Sequence, residues 1–418
     1  MFLSSVEASM VQSSEYPYLI TLDHATTTEF FGVMSAVSRT AHAVFSMVFA
    51  WWGYRYHQTK RIYATFIFVA FTIGNSTTIV LRSYVPLMST PADRTNAFAA
   101  LHVFTLLSVI VGPAVQLAFS GIAYPGYTIV GPIHFNIFSA PSWVATALNV
   151  VSITVIAVFF HDPPRKALKE SRPKVKLVSS IKKKLKNVRN LPINWAMAIL
   201  CIVHKMISDL TGTTLGAIHS PIMLIYGFTT ETTVKINAIT RGVVGLLALT
   251  LVVIMIVGKL GQRIGNFALY MFACVLMYLT YILSFPYPFV SSLAPAFNET
   301  TRTGCDPHQY SWCSHQELCS PWLFLSVLII ISGFVIPTGS ISLDAIYSRI
   351  LEKVDQNLMQ AVFIIAADVV SIVGPLYATW MFTEFGLSPL WIVNGVILYY
   401  SAVIWAVCYR PLKKYSTG

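Results

Sequence analysis

Several ionisable residues stand inside stretches that are otherwise apolar. A charge at the centre of a lipid-spanning helix costs about 2.5–3.5 kcal/mol, so such residues carry information. Glu7 and Glu15 lie among Ser4, Ser5, Ser9, Ser13 and Ser14. Read as one helix, the eight residues between them turn through about 800°, which brings the acids within a quarter-turn of each other. Arg39 and His42 are about one turn apart on one face of a second stretch. Lys205 and Asp209, with His204 beside them, are also about one turn apart. Asp344 falls near the end of a later stretch, and Asp368 within the next. Two readings are open. The set could line a water-accessible pathway, with Glu7, Glu15 or Asp368 carrying protons. Alternatively the residues pair off as ions, Glu15 with Arg39 and Asp209 with Lys205.

The elements that must position them are long apolar helices. Apolar residues make up 55% of the chain, charged residues 11%, and the mean hydropathy is +0.66. Soluble domains carry about 25% charged residues. A hydrocarbon core about 30 Å thick needs roughly 20 apolar residues per helix. Spans of that kind fall at 2–22, 28–52, 62–82, 96–120, 141–160, 193–217, 236–258, 265–285, 322–343, 357–382 and 388–409. The first has no basic flank and no cleavage site, so it reads as a retained span. Aromatics such as Trp51, Trp143, Trp195, Trp322 and Trp391 fall near span ends, as interfacial anchors do.

Charge assigns the sides. Between 161 and 192 lie eleven of the chain's 28 Lys and Arg, against only Asp162 and Glu170. Basic loops of a multi-pass protein face the cytosol. The run therefore reads as a cytosolic linker between a bundle at 1–160 and a six-helix bundle at 193–409. The net charge of +11 comes from such short loops, which excludes nucleic acid as the expected partner. From the linker onward the sides alternate at every step. Before it they fail once. Residues 55–61 and 82–94 both read as cytosolic, with a single span between them. Either a helix is missing near 62–82, or the charge bias misleads there.

Alternation puts the loop at 286–321 in the lumen. It holds the glycosylation acceptor Asn298-Glu299-Thr300 together with Cys305, Cys313 and Cys319. A second acceptor at Asn75 lies inside a span and is discounted. A zinc site using His308 and His315 matches no common spacing. A disulfide is the plainer reading, with Cys305–Cys313 the preferred pair. No HExxH, phosphate loop or nucleophile elbow is present, so neither an enzyme nor a cofactor is expected.

Backbone motifs complete the pattern. Gly258 to Gly265, including Lys259, Gly261 and Arg263, forms a very short basic turn between two spans. Gly112-Pro113 with Gln116 and Gly374-Pro375 lie inside spans, where proline removes a helix hydrogen bond and favours a kink. Such kinks serve either as hinges or as passive bends.

The Gly258–Gly265 turn resembles the loop signature of the major facilitator superfamily. Further stretches resemble one lysosomal branch of it. These are Phe2-Leu3-Ser4-Ser5-Val6, Pro17-Tyr18-Leu19, Arg82-Ser83-Tyr84, Gly112-Pro113 with Gln116, Thr303-Gly304-Cys305 with Trp312-Cys313, and Tyr347-Ser348-Arg349-Ile350-Leu351. The resemblance implies an all-α membrane fold of two helical bundles, nominally twelve spans, of which eleven are visible here. It also implies a lysosomal or endosomal membrane and movement of a small solute or ion, chloride among them. Family members place the Gly-Asn before the Arg-Ser-Tyr segment in helix four. Here Gly74-Asn75 comes early, so 62–82 reads as the start of helix three joined to the body of helix four. Ala41-His42 replaces a family Gly-Gln, Ser371 replaces an Arg, and an acidic residue near 216–221 is missing. The N-terminal tail with its sorting signal is not seen. These departures motivate a second reading, a transport-inactive relative acting as a membrane scaffold.

Overall fold

The first apolar stretch does not fold as one helix. Helix α1 spans Phe2–Val11 and α2 spans Glu15–Leu22, with a turn at 12–14 between them. Ser13 Oγ donates to the Ser9 carbonyl at 3.4 Å and Ser14 Oγ to the Val11 carbonyl at 3.1 Å. Short hydroxyl side chains that bond the local backbone compete with continued helix. The expected single span at 2–22 is therefore corrected to two helices, and Glu7 and Glu15 share no continuous helical face.

The computed structural model describes residues 2–23, 25–56, 94–131, 133–159, 194–258, 260–299, 301–351 and 356–413. The 62–82 segment, the 161–192 linker and Lys259 lie outside them. Among the described residues, the remaining helices of the first bundle are α3 (Thr28–Tyr56), α4 (Arg94–Ala118) and α5 (Ala140–Phe159). A small antiparallel hairpin, β1 (Tyr127–Val130) with β2 (Ile133–Phe135), joins α4 to α5. The second bundle holds α6 (Trp195–Ile225), α7 (Thr230–Val257), α8 (Asn266–Leu283), α9 (Pro321–Ile350), α10 (Gln356–Phe385) and α11 (Leu387–Val407). A short helix α12 (Tyr409–Lys413) follows. Asn194 caps α6 by accepting from Met197 N, and Pro321 opens α9 where its missing N–H costs nothing. Among the described residues, six helices, all in this second bundle, are long and apolar enough to cross a membrane. The turn from α7 to α8 is a five-residue π-helical segment, Gly261–Gly265, ending at a glycine with φ +89°.

Two long contacts join the bundles, α3 against α10 and α4 against α7, while α2 lies against α6 and α7. Small residues allow these approaches. A Cβ at Gly32 on α3 would collide with Thr379 on α10, and one at Gly245 on α7 would lie 3.0 Å from Ile110 on α4.

At the end of the molecule carrying the 286–320 loop the two bundles are in contact. In that loop β3 (Ser291–Leu293) pairs with β4 (Glu317–Cys319), and Cys305 and Cys313 are joined by a disulfide. Leu224 of α6 packs on Tyr16 and Phe31 of the first bundle. Val234 of α7 packs with Ile137 and Phe138. Burying such side chains stabilises by about 1.5–3 kcal/mol each, so contacts of this kind hold this end closed.

Candidate functional site

The turn between α1 and α2 is held by α7 of the opposite bundle. Asn237 Nδ2 donates to the Ser13 carbonyl at 3.1 Å and to Ser220 Oγ of α6 at 2.8 Å. One turn further along α7, Arg241 Nη1 donates to Gln12 Oε1 at 2.6 Å. A helix broken inside a membrane exposes carbonyls and N–H groups that need partners, and these side chains supply them. The break also delivers Glu15 to the first turn of α2, where a carboxylate suits the helix dipole.

Glu15 lies in the field of Arg241 first and of Arg39 on α3 second. Arg241 in turn feels both Glu15 and Arg39, and His219 of α6 lies beside Asn237 and within the field of Arg241. Two guanidiniums thus share one carboxylate. His219 and Asn237 are buried, and their side chains interact with each other. The cluster therefore places excess positive charge beside polar side chains where the bundles meet. It can hold a small polar or anionic group.

Of the residues expected from sequence, Glu15 and Arg39 come together here. Arg39 is exposed on its helix, and His42 lies on the same helix with a side chain outside the description. Glu7 goes elsewhere, accepting from Asn149 Nδ2 of α5 at 3.1 Å within the first bundle. Lys205 and Asp209 form an ion pair at 3.0 Å on α6, half-buried. Asp368 is half-buried on α10. Gly112 lets α4 approach α1, since a Cβ there would lie 2.6 Å from Ser9 Cβ. Pro113 sits beside Gly242 of α7. Gln116 Nε2 donates to the Ile137 carbonyl at 2.7 Å, tying α4 to the hairpin loop. Gly374, followed by Pro375, packs α10 tightly on Thr213 of α6. Arg263 is exposed in the π-helical turn with Gly261 and Gly265. Asn298 is exposed in a turn of the 286–320 loop. Among the described residues no group of three His, Cys, Asp or Glu could hold a metal.

Gln12, Asn237, Arg241, Ser220 and His219 are absent from the expectation. The signal for Arg241 was available: it is an arginine within the 236–258 span, one turn from a buried asparagine.

The helix order, the two bundle contacts and the coverage of solved structures agree. The bacterial homologue of the human lysosomal transporter Spinster, in its inward-facing and occupied conformation, superposes with a TM-score of 0.59 at 10% identity, covering 100% of this chain and 96% of that one. The nucleoside transporter NupG gives 0.60 at 13% identity, covering 98% and 96%. The D-xylose-proton symporter gives 0.59 at 10%, covering 99% and 94%. The fold is that of the major facilitator superfamily. In sequence the chain is similar to major facilitator superfamily domain-containing protein 8 of Xenopus laevis, at 23% identity, with 100% of this chain and 91% of the relative covered. That match runs over 469 positions against 418 residues here, so the relative carries segments this chain lacks. No protein-family model matches the chain. Within the facilitator fold, the Glu15–Arg241 cluster occupies the seam between the two bundles.

Proposed function

We propose that the protein moves a small solute or ion across a membrane by alternating access, with the Glu15, Arg39 and Arg241 cluster on the solute path. The carrying observation is two guanidiniums acting on one carboxylate at the seam, beside the polar side chains of Asn237 and His219. With two guanidiniums acting on one carboxylate, an anionic group would balance the local charge. Chloride, which the sequence resemblance implies, is the simplest such anion. Glu15 gives a route to proton coupling, because protonating it adds a further positive charge to the same cluster. The broken α1–α2 helix fits this reading, since discontinuous helices commonly line transport sites.

A lysosomal or endosomal membrane, with the 286–320 loop in the lumen, belongs to the same proposal. So does the assignment of Lys205–Asp209 to structure rather than to the path, since that pair already satisfies itself. The test is solute flux in proteoliposomes across a pH gradient, with the anion varied. Saturable flux that depends on anion identity supports the reading. No flux of any anion, in folded protein, overturns it and leaves the scaffold reading.

A further inference from the structure

The disulfide loop is bound to one bundle and reaches across to the other. On its own side, Gly304 N donates to the Leu224 carbonyl at 2.9 Å, and Trp312 Nε1 donates to the Phe382 carbonyl at 2.9 Å. Gln316 Nε2 donates to the Phe385 carbonyl at 2.7 Å, while its Oε1 accepts from Leu387 N at 2.9 Å. Tyr310 and Trp312 are buried in the apolar core of the second bundle. The loop therefore travels with that bundle as one body.

Across the seam, Tyr310 OH is hydrogen-bonded to Thr28 Oγ1 at the start of α3. Thr28 Oγ1 also meets Tyr16 OH of α2 at 3.0 Å. All three side chains are buried. The Cys305–Cys313 disulfide brackets Tyr310 in sequence, and Tyr310 N donates to the Asp306 carbonyl at 2.9 Å within the bracket. Tyr16 directly follows Glu15. A small cavity of about 60 Å³ lies against this chain of hydroxyls, lined by Tyr16, Ile20, Leu224, Arg302 and Tyr310 among others.

We infer that Tyr310, held by the disulfide loop, is the bolt of the loop-end gate, with Thr28 and Tyr16 as its keeper. The inference rests on the alternating-access reading above and adds a gate to it. Opening this end separates the bundles, and the Tyr310–Thr28 bond must break first or together with the apolar contacts around it. Because Tyr16 and Glu15 are adjacent on the first turn of α2, a shift of that turn at the solute cluster moves the keeper. The bolt is thereby coupled to occupancy of the site. Its donors and acceptors are neutral, so gating at this point needs no charge change.

The test is a distance measurement between spin labels on Thr128→Cys and Ser292→Cys, exposed positions in opposite bundles at the loop end, in a Cys408→Ser background. Tyr310→Phe keeps the ring and removes the hydroxyl. Losing one hydrogen bond should raise the ratio of separated to closed populations about 2- to 10-fold. Thr28→Val should act in the same direction, and the double variant should add little to either single change, because both remove the Tyr310–Thr28 bond and the Thr28–Tyr16 bond lies within the first bundle. An unchanged ratio in both single variants, or fully additive effects, overturns the bolt. The measurement does not require flux. A changed ratio without flux keeps the bolt and rejects transport, while flux with unchanged ratios does the reverse.

Discussion

Arg241 carries the largest residue-scale consequence. Arg241→Gln leaves Glu15 with only the weaker field of Arg39 and frees Gln12 in the helix break. Arg241→Lys keeps the charge but loses the planar fork, so it should retain part of the activity, measured as flux. Asn237→Ala removes the donor to both Ser13 and Ser220, two buried groups. Each stranded group costs about 1–3 kcal/mol, so the thermal midpoint in detergent should fall clearly. Cys319 offers a chemical check on the loop. Its thiol is buried and burial pushes its pKa up, with Tyr226 opposing the shift. The thiolate is the nucleophile. Maleimide at neutral pH should therefore leave Cys319 unmodified in folded protein and modify it after denaturation. Fast labelling of the folded protein would contradict the packing of that loop.

Elements decide how residues reach the seam. Gly112→Ala places a Cβ 2.6 Å from Ser9 Cβ and 2.9 Å from the Val6 carbonyl, so α1 and α4 must move apart. Overpacking of this kind costs about 1–3 kcal/mol and should appear as a lower thermal midpoint. The long helices were legible because runs of about twenty apolar residues leave lipid few alternatives. The α1–α2 break was not, although Gln12-Ser13-Ser14 is polar. Hydropathy averaged over 2–22 hides three residues, and the partners that make a break affordable sit more than two hundred residues away on α7. Glu7 and Glu15 were paired on one face for that reason, and the break sends them to different neighbours. Arg241 was missed because it lies near the polar start of its span, beside Lys235, where a basic residue reads as an interfacial anchor. Glu15 and Arg39 were legible because no interfacial reading competed for them. The Lys205–Asp209 pair was legible because both partners lie on one helix face, one turn apart.

At the scale of the whole molecule, the two bundles meet at a seam that is closed at the disulfide-loop end. The proposed orientation has the linker on the cytosolic side and the loop in the lumen. Asn298 should then carry a glycan that a glycosidase removes and Asn298→Gln abolishes. A run of basic residues at 161–190 should be cut by trypsin added to the cytosolic face of sealed vesicles. A protected run with an unmodified Asn298 would reverse the sides. Passage of solute through the seam is tested most directly by the initial rate of anion flux in proteoliposomes, parent against Arg241→Gln, at equal amounts of folded protein. Removing one partner from the charge cluster should lower the rate about tenfold or more. Equal rates in the two proteins would contradict a solute path through the Glu15–Arg241 cluster.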